Sequence, residues 1–113
     1  MRSNPVIVCL CGSTRFSEAF QKANFEETLA GKIVLSIGCD TKSDNEIWVD
    51  ENDREAIKAR LDELHLRKID LADEVLILNV AGYVGSSTRR ELDYAQCQGK
   101  VIRWLEEPSD GSQ

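Results

Sequence analysis

Gly82-Tyr83-Val84-Gly85-Ser86-Ser87-Thr88-Arg89-Arg90-Glu91 joins the apolar run Val75–Leu78 to a helical pattern. A buried strand that breaks into glycine and hydroxyl residues before a helix leaves a row of unpaired backbone N–H groups at the strand's carboxyl end. Open α/β sheets bind ligands there, and a helix N-terminus favours an anion. Glu91, predicted in the first turn of the helix, brings a carboxylate to the same crevice. Cys11-Gly12-Ser13-Thr14-Arg15 repeats the composition after an earlier strand. Gly12, Ser13, Thr14 and Arg15 on one side, and Gly85, Ser86, Ser87, Thr88 and Arg89 on the other, each offer N–H groups, hydroxyls and an arginine. Phosphate is the simplest ligand that uses all of them.

Each feature has a plainer reading. Serine and threonine ahead of a helix are ordinary caps, and Thr88-Arg89-Arg90-Glu91 fits a capping box in which Glu91 only satisfies a backbone N–H. Neither loop has the spacing of a triphosphate P-loop or of a dinucleotide glycine motif, so large phosphate clusters are disfavoured. His65, the single histidine, is either a packed core residue or, beside Glu91, a group able to exchange a proton near neutral pH. Asp40 follows the second strand at the same sheet edge and is a candidate ligand contact, whereas Asp73 reads as structural. Trp48 and Tyr83 either stack on a base or pack their loops.

The four cysteines, Cys9, Cys11, Cys39 and Cys97, lack paired Cys-x-x-Cys spacing and read as reduced thiols packed as small hydrophobes, with no metal expected. Cys39 with His65 is a possible thiolate nucleophile. A phosphatase loop at Cys11 fails, because Arg15 follows too closely for the chain to wrap a phosphate.

The elements that must position these residues follow from periodicity. Val6–Leu10 is a continuous apolar run between Pro5 and Gly12, as in a strand covered on both faces. Helical spacing runs from Phe16 to Leu29, with Ser13 or Thr14 as cap and Gly31 as stop. A strand is predicted at Ile33–Ile37, then a long loop from Gly38 to Asn52. A helix follows from about Asp53 to Ala72, with Ile57, Leu61, Leu64, Ile69 and Ala72 on one face and His65 among them. The last elements are a strand at Val75–Val80, a helix at Ser87–Gln98 closed by Gly99, a strand at Val101–Leu105 and a polar tail from Glu106. Strands alternating with helices imply a doubly wound parallel sheet, flavodoxin- or Rossmann-like, of order 2-1-3-4 in a three-layer α/β/α arrangement. The order reverses between strands 1 and 3, which brings the two loops to one crevice.

At 113 residues the chain suits a single domain. Its net charge of -6 provides no global field for nucleic acid or anionic lipid. No apolar run reaches membrane-span length and the start does not read as a signal peptide, so a cytoplasmic protein without a membrane partner is expected. Exposed sheet edges make a homo-oligomer, dimer or tetramer, the expected assembly.

Ile69-Asp70-Leu71-Ala72-Asp73-Glu74-Val75-Leu76-Ile77-Leu78, Gly85-Ser86-Ser87-Thr88, Glu91-Leu92-Asp93-Tyr94-Ala95 and Gly99-Lys100-Val101, with Leu10-Cys11-Gly12-Ser13-Thr14-Arg15, resemble the core of the nucleoside 2-deoxyribosyltransferase superfamily. That superfamily includes the 2'-deoxynucleoside 5'-monophosphate N-glycosidases, and the resemblance covers nearly the whole chain. It implies that Glu91 attacks the anomeric carbon, that the base leaves, and that water or another base resolves the glycosyl-enzyme. It also implies that Gly12 to Arg15 and Gly85 to Ser87 hold a 5'-phosphate, with no cofactor. His65 stands where the transferases carry an aspartate. Their acidic residue shortly before the nucleophile is replaced around Gly85 and Ser86, and the C-terminal extension that completes a neighbour's site is lacking. These departures favour hydrolysis of a nucleoside monophosphate or related ribosyl phosphate over base exchange. A sensor of a nucleotide or ADP-ribose-like ligand and a structural or partner-binding domain remain open.

Overall fold

Side chains along a strand alternate between the two faces of a sheet, and in the first strand this alternation divides the core in two. A computed structural model describes residues 4–37 and 51–108, with side chains of the second segment described from Arg54 onward. Strand β1 (Ile7–Cys11) is followed by helix α1 (Ser17–Leu29), β2 (Ile33–Leu35), α2 (Glu51–Leu71), β3 (Glu74–Ile77), α3 (Ser86–Cys97) and β4 (Val101–Trp104). The sheet is parallel throughout in the order β2-β1-β3-β4, as the sequence pattern predicts. Val8 and Leu10 point toward α1 and pack with Phe20, Ala23, Leu76 and Leu78. Cys9 and Cys11 point the other way, into a cluster with Ile69 of α2 and with Leu92 and Ala95 of α3.

The elements agree with their predicted positions except at their ends. Strands β2 and β3 stop at Leu35 and Ile77, short of the predicted Ile37 and Val80. Beyond β3 the chain turns through Asn79 into a single 3-10 turn, Val80–Gly82, in which Ala81 takes a positive φ of 54°. Asn79 is buried and pairs through its amide with the backbone of Glu106, donating to the carbonyl at 2.8 Å and accepting from the N–H at 2.9 Å. The Ala81 N–H donates to the Glu106 carboxylate at 2.9 Å. Glu106, expected to begin a free tail, is therefore a strut for the loop after β3. Asp73 is structural, accepting the Ile7 N–H at 2.9 Å at the opposite end of the sheet from the loops. Among the described residues no helix is long and apolar enough to cross a membrane.

One polar network crosses the α1 face. Glu27 accepts from Lys32 at 3.0 Å and Arg103 at 2.8 Å, and Glu74 accepts from the same two cations at 3.0 and 2.8 Å. Two half-buried cations thus neutralise two carboxylates drawn from different elements, which limits the cost of burying charge at the sheet's edge. Arg103, with Lys32 beside it, holds the Glu27 carboxyl at about 2, below its ordinary 4.5. A depressed carboxyl stabilises the fold above its unfolded pKa and loses that contribution as pH falls from about 4.5 toward 2. Glu27→Gln is expected to cost roughly 2–3 kcal/mol at pH 7, with a smaller deficit below pH 4, in urea unfolding at both pH values. An equal deficit at both would contradict this account.

Candidate functional site

Where the strand order reverses, the loops leaving β1 and β3 diverge and leave a cleft of about 300 Å³ over the sheet's carboxyl edge. Its walls are Gly12, Ser13, Thr14 and Arg15 on one side and Gly85, Ser86, Ser87 and Thr88 on the other, and His65 and Glu91 also line it. The structure brings both predicted loops and both predicted reactive side chains together.

The capping readings do not survive. Helix α1 starts later than its serine and threonine suggest: Phe16 is its N-cap and makes no side-chain cap bond. Ser13 to Phe16 form a turn closed by the Phe16 N–H on the Ser13 carbonyl at 3.0 Å, with the Ser13 hydroxyl accepting the Arg15 N–H at 3.3 Å. Helix α3 starts earlier than expected. Gly85, in extended conformation, is its N-cap, and Thr88 is buried inside the first turn and cannot be the start of a capping box. Glu91 consequently lies in the second turn, a correction to its predicted first-turn position. The first N–H groups of α3 have no intrahelical partner and, among the described residues, no side-chain cap from the N-cap Gly85, and Ser86, Ser87 and Thr88 that carry them line the cleft.

Close packing leaves little room for a side chain at either glycine. A Cβ on Gly12 would lie 3.0 Å from the Leu78 Cβ and 3.3 Å from the Leu78 carbonyl, and one on Gly85 would lie 3.0 Å from the Tyr83 hydroxyl. Tyr83 bridges the two loops: the Arg15 guanidinium carbon lies 4.5 Å from its ring centre, Arg15 Nη2 donates to its hydroxyl at 3.2 Å, and Phe16 meets the ring edge-on at 5.9 Å. Arg15, which lines the cleft, is thereby stacked on an aromatic face.

Beneath the loops lies a polar cluster. His65 Nε2 is 3.9 Å from Glu91 Oε1, 3.4 Å from Cys11 Sγ and 3.7 Å from Cys9 Sγ. His65 is 7% exposed and both sulfurs are fully buried, while the Glu91 side chain keeps 15% of its surface open. Burial pushes the Glu91 carboxyl above its usual range against the pull of His65. Burial alone would hold the imidazole neutral, but the Cys9 sulfur and the Glu91 carboxylate outweigh it and raise His65. The Cys9 sulfur, burial and Glu91 push the Cys11 thiol up. Hydrogen bonding from Cys11 and then His65 lowers Cys9 against burial, so the pair contains one acidic and one reluctant thiol.

Several predicted residues fall elsewhere. Arg89 is exposed, at the fourth position of α3, and is not among the residues that line the cleft. Asp40, Cys39 and Trp48 lie outside the described residues. Conversely, α2 supplies lining residues that sequence reading missed: Lys58, Leu61, Asp62, Leu64 and Lys68. They share a helical stripe with His65, and that periodicity was visible, but its mix of charged and apolar residues resembles a solvated face. Leu64, placed in the core by its spacing, is 50% exposed at the rim. Lys58 is paired with Asp62 at 2.9 Å, and Lys68 donates to the Ser36 carbonyl at 2.6 Å, tying α2 to the end of β2.

No protein-family model, curated protein or solved structure matches this chain.

Two substitutions test this geometry. Glu91 has a raised pKa, so its stabilising contribution belongs to the protonated form, is fully present below the unfolded pKa of 4.5 and is lost as pH rises from there through the folded pKa. Glu91→Gln is expected to raise Tm at neutral pH, where a gain of about 1 kcal/mol corresponds to roughly 4–8 °C, and to raise it less at pH 4. A helix-capping role predicts the opposite sign, which thermal unfolding monitored by circular dichroism distinguishes. Gly12→Ala is expected to cost about 1–3 kcal/mol in urea unfolding, because the added methyl meets both the Cβ and the carbonyl oxygen of Leu78 at close range.

Proposed function

We propose that the protein hydrolyses the N-glycosidic bond of a nucleoside 5'-monophosphate, or of a closely related ribosyl phosphate, with Glu91 as nucleophile. The observation that carries this reading is the shared cleft: a part-buried carboxylate opens into the same space as two loops rich in N–H and hydroxyl donors. The sequence's resemblance to the nucleoside 2-deoxyribosyltransferase superfamily supports it. Anchoring the phosphate between Gly12–Arg15 and Gly85–Thr88 sets the sugar over Glu91, and this positioning supplies part of the rate enhancement. The apolar rim residues Ile37, Leu61 and Leu64 give the base a surface to lie against.

In the first step a Glu91 oxygen forms a bond to the anomeric carbon as the bond to the base breaks, and the base leaves with the electron pair and takes up a proton. In the second step water attacks the same carbon, its proton is removed, and the Glu91 carboxylate is released. Two smaller barriers replace one large one. Attack comes from the sugar face opposite the departing base, so His65, deeper in the cleft than Glu91, acts on the nucleophile rather than on the base. We assign it a positioning role: its imidazolium at 3.9 Å favours the ionised, attacking form of a carboxyl that burial otherwise keeps protonated.

Incubation with a panel of ribo- and deoxyribonucleoside 5'-monophosphates and their nucleosides, followed by chromatography of the free base, tests the reading. Release is expected from a monophosphate and not from its nucleoside, falling by roughly three orders of magnitude or more in Glu91→Ala. Arg15→Ala is expected to raise KM with little change in kcat. His65→Gln is expected to lower kcat and move the acid limb of its pH profile upward. Absence of release from the whole panel would overturn the hydrolase reading, and nucleotide binding without release would establish a sensor instead.

A further inference from the structure

Cys9 and Cys11 are two residues apart on the central strand, so their side chains leave the same face of the sheet. Helix α2 lays His65 directly against them. Cys9 Sγ, Cys11 Sγ and His65 Nε2 all lie within 4.8 Å of one another, and all three residues are buried. A neutral imidazole nitrogen has one proton or one lone pair to offer. Nε2 nevertheless has three polar neighbours, at 3.4, 3.7 and 3.9 Å, and one hydrogen bond satisfies one of them. A cation between the atoms would satisfy all of them together.

The spacing suits such an ion. Tetrahedral Zn²⁺ with sulfur at ~2.3 Å and nitrogen at ~2.0–2.1 Å requires sulfur–nitrogen separations of about 3.5 Å. The two observed values, 3.4 and 3.7 Å, bracket that requirement. Two thiolates and an imidazole are a ligand set for a borderline-soft cation and a poor one for Mg²⁺ or Ca²⁺. Glu91, which lines the cleft, stands on the open side of the cluster and provides both an entry route and the fourth position.

We propose that Cys9 Sγ, Cys11 Sγ and His65 Nε2 form a Zn²⁺ site whose fourth position opens toward Glu91 and the cleft. Binding releases to solvent the protons that the two sulfurs and Nε2 carry, leaves the imidazole neutral and coordinating through Nε2, and involves no change of oxidation state. The Cys-x-Cys spacing, set aside in the sequence for lacking a paired motif, acquires its third ligand only from the docking of α2. The site does not rest on the glycosidase reading, but the two use exclusive states of one side chain: with Zn²⁺ on Nε2 the imidazole cannot act on Glu91 as an imidazolium, so metal uptake is expected to suppress any base release, and the two are measured separately.

The test is titration of the full chain, reduced and freed of metal by a chelator, with Co²⁺ as the spectroscopic probe. One Co²⁺ per chain is expected, with tetrahedral d–d bands and a sulfur-to-cobalt charge-transfer band that Zn²⁺ displaces. That band is expected to be lost in Cys9→Ser and Cys11→Ser and retained in Cys39→Ser and Cys97→Ser. Absence of a thiolate band, or a band that persists without Cys9 and Cys11, or one that depends on Cys39 or Cys97, would overturn the proposal. Zinc-edge X-ray absorption on the wild-type complex keeps the question decidable if a serine variant does not fold. A shell containing two sulfurs is expected there, and a shell of oxygen and nitrogen alone would overturn the site.

Discussion

The pairing of β1 with β3 is the contact on which the rest of this structure depends. These two strands sit side by side in register from Val8–Glu74 to Cys11–Ile77, yet their following helices lie on opposite faces of the sheet. The chain must therefore leave the two strands in opposite directions, and the gap between the departing loops becomes the cleft. Hydrophobic burial on both faces holds the pairing: β1 contributes four fully buried side chains, two to each core. The strut from Asn79 to Glu106 then sets the path of the loop after β3, and the Tyr83–Arg15 stack ties that loop to its counterpart.

The same strand that builds the core also delivers the polar cluster. A wholly apolar face toward α2 and α3 would have been the more stable choice, since burying thiols, an imidazole and a carboxylate together removes each from water with few partners. Every titratable group of the cluster has its pKa displaced, and the principal causes are burial and the neighbouring members of the cluster. Groups held under such tension are concentrated at sites of chemistry, which gives the cluster more weight than its size suggests. By contrast, the part-buried charges of Glu27, Lys32, Glu74 and Arg103 are mutually satisfied, lie on the other face and belong to the architecture.

Legibility in the sequence followed the range of the interactions concerned. Strand and helix identity came from periodicity and from Gly31 and Gly99, which are local signals, and the order 2-1-3-4 was the doubly wound arrangement expected of four alternating strands, which the sheet adopts. Helix starts were misread where hydroxyl residues imitate caps. Ser13, Thr14 and Thr88 all have capping chemistry, and a residue caps only if it stands at the boundary where helical backbone begins, which here falls at Phe16 and Gly85. The lysines and Asp62 of α2 were invisible as site residues because nothing local distinguishes a charged stripe over a cleft from one facing solvent.

The sequence by itself determined the doubly wound sheet, the reversal between β1 and β3, and the meeting of Gly12–Arg15 with Gly85–Glu91, since each follows from residue pattern and backbone geometry over short spans. Only the tertiary structure decided that His65 lies against Cys9, Cys11 and Glu91, that Glu91 is no cap, and that Arg15 lines the cleft while Arg89 does not. Those outcomes depend on the rotation and depth at which α2 and α3 settle on the sheet. Packing across the whole domain sets that docking, and no segment of the chain encodes it alone.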